Sequence, residues 1–134
     1  MATLRDEILD IRSSADVVKV RQVVRARAAE LGFSLVDQTK LVTGASELAR
    51  NTLEHGGGGQ ARVETVHEPD RKGLRITFED QGPGISDTTL ALTDGYSTGG
   101  GLGLGLSGTR RLMNEFRIQS EVGKGTRVQV ARWR

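Results

Sequence analysis

Apolar and polar residues change period several times along the chain, and each change marks an element. Between Arg5 and Ile11 they alternate weakly, which predicts a short strand. Ser13, Ser14 and Asp16 supply N-cap chemistry, and Val17, Val20, Val24, Ala28 and Leu31 then recur at steps of three and four. That is one helical stripe over Asp16–Leu31, with Gly32 as its C-cap. Asp37 opens a second helix with Leu41, Ala45, Leu48 and Thr52 on one face, ended by Gly56–Gly59. The period then falls to two. Ala61, Val63 and Thr65 alternate with Arg62 and Glu64, and Leu74, Ile76 and Phe78 alternate with Arg75, Thr77 and Glu79. Pro69 to Gly73 reads as the turn of this hairpin. After Asp80 comes a Gly-, Ser- and Thr-rich loop of about two dozen residues, a length that is usually functional. A third helix is expected from Leu104 to Phe116, then a second hairpin, Ile118–Val122 and Thr126–Trp133, around Gly123-Lys124-Gly125.

The order β-α-α-ββ-loop-α-ββ brings consecutive strands together as hairpins, so the sheet is mainly antiparallel. The helices must cover one of its faces. The predicted fold is an α/β two-layer sandwich, formed as a single domain over residues 1–134.

Composition narrows the function classes. The absence of cysteine excludes a disulfide scaffold, a zinc-thiolate site and a Cys nucleophile, and fits a cytoplasmic protein. No run approaches the length of a membrane span, and the charged stretch Met1 to Arg12 is unlike a cleaved signal. Net charge is only +2, the basic residues are scattered, and aromatics are 4%, which argues against nucleic acid as a partner. Glycine stands out, at 18 residues, with clusters at Gly56–Gly59 and from Gly99 to Gly108.

Three clusters can carry chemistry. On the second helix, Glu47, Asn51 and Glu54 fall on one flank, Asn51 about 40° from Glu47 in projection. Oxygen ligands of this kind suit Mg²⁺, although a solvated helix face accounts for the spacing equally well. Asp80-Gln81-Gly82-Pro83-Gly84 puts a carboxylate at a strand end beside two glycines that permit close approach, and also reads as a capped turn. Thr98 to Gly108 runs into a helix and offers an anion cradle of backbone N–H groups. Gly103, Gly105 and Gly108 match G-x-G-x-x-G formally, but no strand precedes them and no parallel crossover follows, so a dinucleotide fold is excluded. Gly123-Lys124 lacks the rest of a Walker A motif.

Taken in order, these clusters resemble the Bergerat-fold ATPases, the superfamily of gyrase, the large heat-shock chaperones, histidine kinases and MutL. Within it the chain is similar to the short bacterial kinases that regulate sigma factors, the anti-sigma-factor kinases and the stressosome switch kinase. The residues carrying this are Glu47-Leu-Ala-Arg-Asn51, Glu79-Asp-Gln-Gly-Pro-Gly-Ile85, Asp94 to Leu106, Arg111 to Phe116, and Gly125-Thr126.

The resemblance implies ATP and Mg²⁺, with Asn51 holding the metal and Asp80 accepting from the adenine amine. Gly82 and Gly84 would pass under the ring, and Thr126 would bond in the same corner. Gly101, Gly103 and Gly105 would wrap the phosphates, and Glu47 would be the general base. It implies a protein serine/threonine kinase acting on a STAS-type antagonist domain, with a PP2C-type phosphatase or a sigma factor as second partner. Arg50, Arg110 and Arg111 read as surface residues, and His55 as helix-end packing. The alternative is a nucleotide-gated binding module with little transfer. A detached histidine-kinase catalytic domain fits less well, because Glu47 is retained.

Overall fold

The period-two segments become five strands of one sheet and the helical stripes become the layer above it. The computed structural model describes residues 2–85 and 106–134. Its elements are β1 (Ala2–Ile11), α1 (Ser14–Glu30), α2 (Leu35–Glu54), β2 (Gly59–Glu68), β3 (Arg71–Asp80), α3 (Leu106–Leu112), β4 (Glu115–Glu121) and β5 (Gly125–Trp133). The sheet order is β1-β2-β3-β5-β4, and every pairing is antiparallel. Among the described residues, no helix is long and apolar enough to cross a membrane.

Several boundaries differ from the sequence reading. β1 begins at Ala2 rather than Arg5, because a register irregularity between Thr3 and Arg5 breaks the alternation and leaves Leu4 exposed. α2 begins at Leu35, since Ser34 rather than Asp37 is the cap and its hydroxyl accepts from Asp37 N at 3.1 Å. The β2–β3 turn contracts to Pro69-Asp70, with Glu68 paired to Arg71. α3 stops at Leu112, short of Phe116. Asn114 N donates to Ala131 O at 3.0 Å and Asn114 Oδ1 accepts from Trp133 N at 2.7 Å, so the chain has already joined β5. α1 ends as expected at Gly32 (φ +83°), where Gly32 N bonds Ala29 O and Phe33 N bonds Ala28 O in a Schellman motif.

The core lies between the helices and one face of the sheet. Val17, Val20, Val24 and Ala28 of α1 and Leu41, Ala45, Leu48 and Ala49 of α2 are buried against Leu9, Ala61, Val63, Ile76, Phe78, Val128 and Val130. Arg27 of α1 is buried with them, its guanidinium donating to Glu7 at 3.1 Å and Thr65 at 3.2 Å. At Gly44 a Cβ would strike the Met113 methyl, so α2 leaves room for the segment that closes α3.

Among the described residues the other face carries no helix, and it is held by polar pairs across strands: Arg62 with Asp6, Gln129 with Thr77, and Arg127 with Glu79. Glu64 sits among them with a side chain only 4% exposed, bonded by Arg75 through two nitrogens (3.1 and 2.9 Å) and by Thr3 at 2.9 Å. Burial pushes its carboxyl up, but the bonds from Arg75 and Thr3 and the charges of Arg75 and Arg62 outweigh burial and hold it below the ordinary 4.5. A carboxyl lowered in the folded state stabilises fully above its unfolded pKa, and that contribution is lost as pH falls through the folded value. Denaturation midpoints of the protein should therefore fall as pH drops below 4.5. Glu64→Gln should lower stability at neutral pH and flatten the acid limb; an identical acid limb in the variant would remove Glu64 from that role.

Candidate functional site

Strand register decides which side chains meet beneath α2. The last row on the helix-facing side runs Ile11, Gly59, Asp80, Thr126 and Ser120 across the five strands. The row before it, Leu9, Ala61, Phe78, Val128 and Ile118, is apolar. The core therefore ends, within one row, at a carboxylate flanked by a hydroxyl.

Asp80 is 8% exposed, and its Oδ1 accepts from Gly82 N at 2.9 Å. Glycines surround it because nothing larger fits. A Cβ on Gly56 would collide with the Asp80 carboxyl carbon, one on Gly125 with the Asp80 carbonyl, and one on Gly82 would come within 2.6 Å of Gly56 Cα. Gly84 (φ +76°) faces the β4–β5 turn instead, where a Cβ would strike the Glu121 carbonyl, and Pro83 O accepts from Gly123 N at 2.8 Å. Gly82 and Gly84 thus shape the turn around Asp80 and fasten it to that neighbouring hairpin.

α2 supplies the roof. Asn51, Thr52 and His55 line a cavity with Asp80 and Thr126, and its apolar walls are Leu48, Phe78, Ile85, Leu106, Ile118 and Val128. Thr52 already spends its hydroxyl proton on Leu48 O at 3.0 Å. Among the described residues, His55 Nε2 is buried with no hydrogen-bond partner, which is costly unless something entering the cavity meets it. Apolar walls for a ring, a carboxylate for an amine and a spare imidazole nitrogen fit a nucleotide base.

Glu47 lies one turn before Asn51 but outside this cavity. It is half-exposed, and its carboxylate accepts from Arg50 at 3.0 Å; Arg50 is exposed, as the sequence suggests, and makes this ion pair at the surface. Gly101, Gly103 and Gly105 lie outside the described residues. Asn51, Asp80 and Thr126 are thus brought together, Glu47 is adjacent, and Gly82 and Gly84 are in support.

Three features escaped the sequence reading. Gly56 follows the end of α2 as expected and is also the surface on which the Asp80 side chain rests; four consecutive glycines, more than a C-cap needs, are the available signal. The spare nitrogen of His55 needs the burial of α2 to be seen. Ser120, which bonds Ile85 N at 2.7 Å and Thr126 Oγ1 at 2.8 Å, is visible only through strand register.

Comparison with known proteins agrees with this geometry. Residues 36–134 match the family described as histidine kinase-, DNA gyrase B-, and HSP90-like ATPase. The serine/threonine-protein kinase RsbT of Bacillus subtilis is 49% identical over 123 residues, covering 92% of each chain. An anti-sigma F factor of Clostridium novyi is 31% identical over 113 residues, covering 81% of this chain and 79% of its own. Among solved structures, the RsbU and RsbW domains of a Mycobacterium tuberculosis protein superpose with a TM-score of 0.63 at 22% identity. They match 97% of this chain, which spans 33% of that one. The histidine kinase domain of an Erythrobacter litoralis blue-light-activated kinase gives 0.52 at 18% identity, covering 87% of this chain and 58% of its own. These two likenesses show a shared fold. The chain belongs to the histidine kinase-, gyrase B- and HSP90-like ATPase family, and within it stands with the serine/threonine-protein kinases.

Proposed function

We propose that this kinase transfers the γ-phosphate of ATP to a Ser or Thr hydroxyl of a STAS-type regulatory domain. The observation that carries the reading is the convergence of Asn51, Asp80 and Thr126 on one apolar-walled cavity. Adenine binds there, and Asp80 accepts from its exocyclic amine. The phosphates then lie toward Asn51 and the glycine-rich segment containing Gly101, Gly103 and Gly105. Asn51 would hold Mg²⁺ through its amide oxygen; the metal, when bound, neutralises phosphate charge.

Phosphoryl transfer needs mainly positioning and charge neutralisation, so few side chains suffice. Glu47 and Asn51 are one helical turn apart, with Cβ atoms separated by about 5–6 Å, so a carboxylate stands beside the metal ligand. Glu47 takes the proton of the incoming hydroxyl as its oxygen bonds to the γ-phosphorus. The bond from that phosphorus to the bridging oxygen breaks, ADP leaves, and Glu47 returns the proton to solvent. Arg50 fixes the direction of the Glu47 carboxylate until the substrate hydroxyl arrives.

After transfer the kinase exchanges partners. The resemblance to the stressosome switch kinase implies a PP2C-type phosphatase as the second partner, and the likeness to anti-sigma F factors supports a sigma factor in its place. One observation favours the second reading, a nucleotide-gated binding module: Glu47 lies outside the cavity and is tied to Arg50.

Three variants separate these readings. Glu47→Ala should reduce transfer of labelled γ-phosphate to a STAS-domain protein by about 10²–10⁴-fold while ATP still binds. Wild-type rates in that variant would remove Glu47 as the base. ATP binding without transfer by the wild type would move the function to the binding module. Asp80→Asn should weaken ATP binding, measured by calorimetry, by about 10–100-fold; unchanged affinity would sink the adenine assignment. Gly56→Ala should destabilise the fold by about 1–3 kcal/mol in urea unfolding and weaken ATP binding as well, because its methyl displaces Asp80.

A further inference from the structure

Among the described residues the hydroxyl of Ser120 has three hydrogen-bonding neighbours, and counting protons among them fixes the direction of one bond. Ile85 N–H donates to Ser120 Oγ at 2.7 Å. The Gly125 carbonyl lies 3.0 Å from the same oxygen and can only accept, so the single Ser120 proton goes there. Thr126 Oγ1 is 2.8 Å away, and Ser120 has no second proton for it. The proton in that bond therefore belongs to Thr126. Ser120 has now used its donor and both acceptor positions. Thr126 has used its only proton and meets the cavity with lone pairs alone.

The neighbour of Thr126 across the strands is Asp80, whose Oδ1 already accepts from Gly82 N. Among the described residues, the side chains of the polar wall made by β3 and β5 thus present acceptors and no donor. We infer that Ser120 is a positioning residue for nucleotide specificity. By holding the Thr126 hydroxyl as an acceptor, it makes the cavity choose a 6-aminopurine and reject a 6-oxopurine.

An exocyclic amine carries two N–H groups and meets this wall with donors, directly or through a water that must itself donate to Thr126. A 6-oxo group would set a third acceptor against the other two, with its own lost hydration unreplaced. Asp80 alone disfavours the oxo group; the Ser120 bond prevents Thr126 from rotating its proton inward to relieve the conflict. The inference rests on the nucleotide-binding reading above.

The test compares three nucleotides on the full chain by calorimetry: ATP, inosine triphosphate, and purine riboside triphosphate, which has no group at the 6-position. Wild type should bind ATP best and inosine triphosphate worst. Ser120→Ala frees the Thr126 proton, and the preference for ATP over inosine triphosphate should shrink by about five- to tenfold. Ser120→Thr keeps the hydroxyl and should keep the wild-type ratio. If Ser120→Ala does not fold, Ser120→Cys is read in the same way, because a thiol accepts only weakly. A loss shared equally by all three nucleotides would mean that Ser120 only braces the loop at Ile85, and would overturn the inference, as would an unchanged ratio. Failure of the wild type to bind ATP at all would instead take down the nucleotide reading, and this inference with it.

Discussion

The close approach of backbone to the Asp80 side chain is the constraint on which the site depends. Gly56, just past the end of α2, lies against the Asp80 carboxyl; Gly82 packs on Gly56 and donates its N–H to Asp80 Oδ1; Gly125, at the start of β5, lies against the Asp80 carbonyl, and none of the three leaves space for a Cβ. Three segments are thereby packed around one acidic residue. A carboxylate in such a setting is nearly rigid, and a rigid acceptor discriminates between ligands better than a mobile one. The requirement for glycine here comes from crowding; only at Gly125, with φ of +86°, does backbone conformation add to it.

The sheet beneath the site divides its labour by face. The helix-facing rows are apolar until the last, where Asp80, Thr126 and Ser120 stand side by side. The opposite face is a ladder of cross-strand ion pairs and amide–hydroxyl bonds centred on Glu64 and Arg75. The strict two-residue period of a strand lets one segment serve both: β3 directs Phe78 and Asp80 to the helix-facing side and Glu79 to the other.

The fold was largely legible because the changes of period were clean. Both hairpins, both long helices and their order were visible in the apolar positions. Errors arose where local chemistry competed with the pattern. Asp37 looked like the cap of α2 although Ser34 performs that role, and Phe116 extended the stripe of α3 although it belongs to β4. The site was legible in a different way. Spacing alone left Glu47, Asn51 and Asp80 as possible surface or turn residues, and the resemblance to an ATPase family gave them meaning. Ser120, Gly56 and the spare nitrogen of His55 were illegible, since their roles come from contacts between elements far apart in sequence. The surface position of Arg50 was legible, but its i, i+3 ion pair with Glu47 cannot be told from scattered charge in an arginine-rich chain.

α3 has seven residues, too few to persist as a helix by its own hydrogen bonds. It is held by Met113 over Gly44 of α2, by Leu106 in the wall of the cavity, and by Arg132 of β5. The guanidinium of Arg132 donates to Leu112 O and to Asp37 in the first turn of α2, both at 2.8 Å. One side chain thus joins the end of one helix to the start of another through a strand. Part of the cavity wall therefore borrows its permanence from residues at the opposite end of α2.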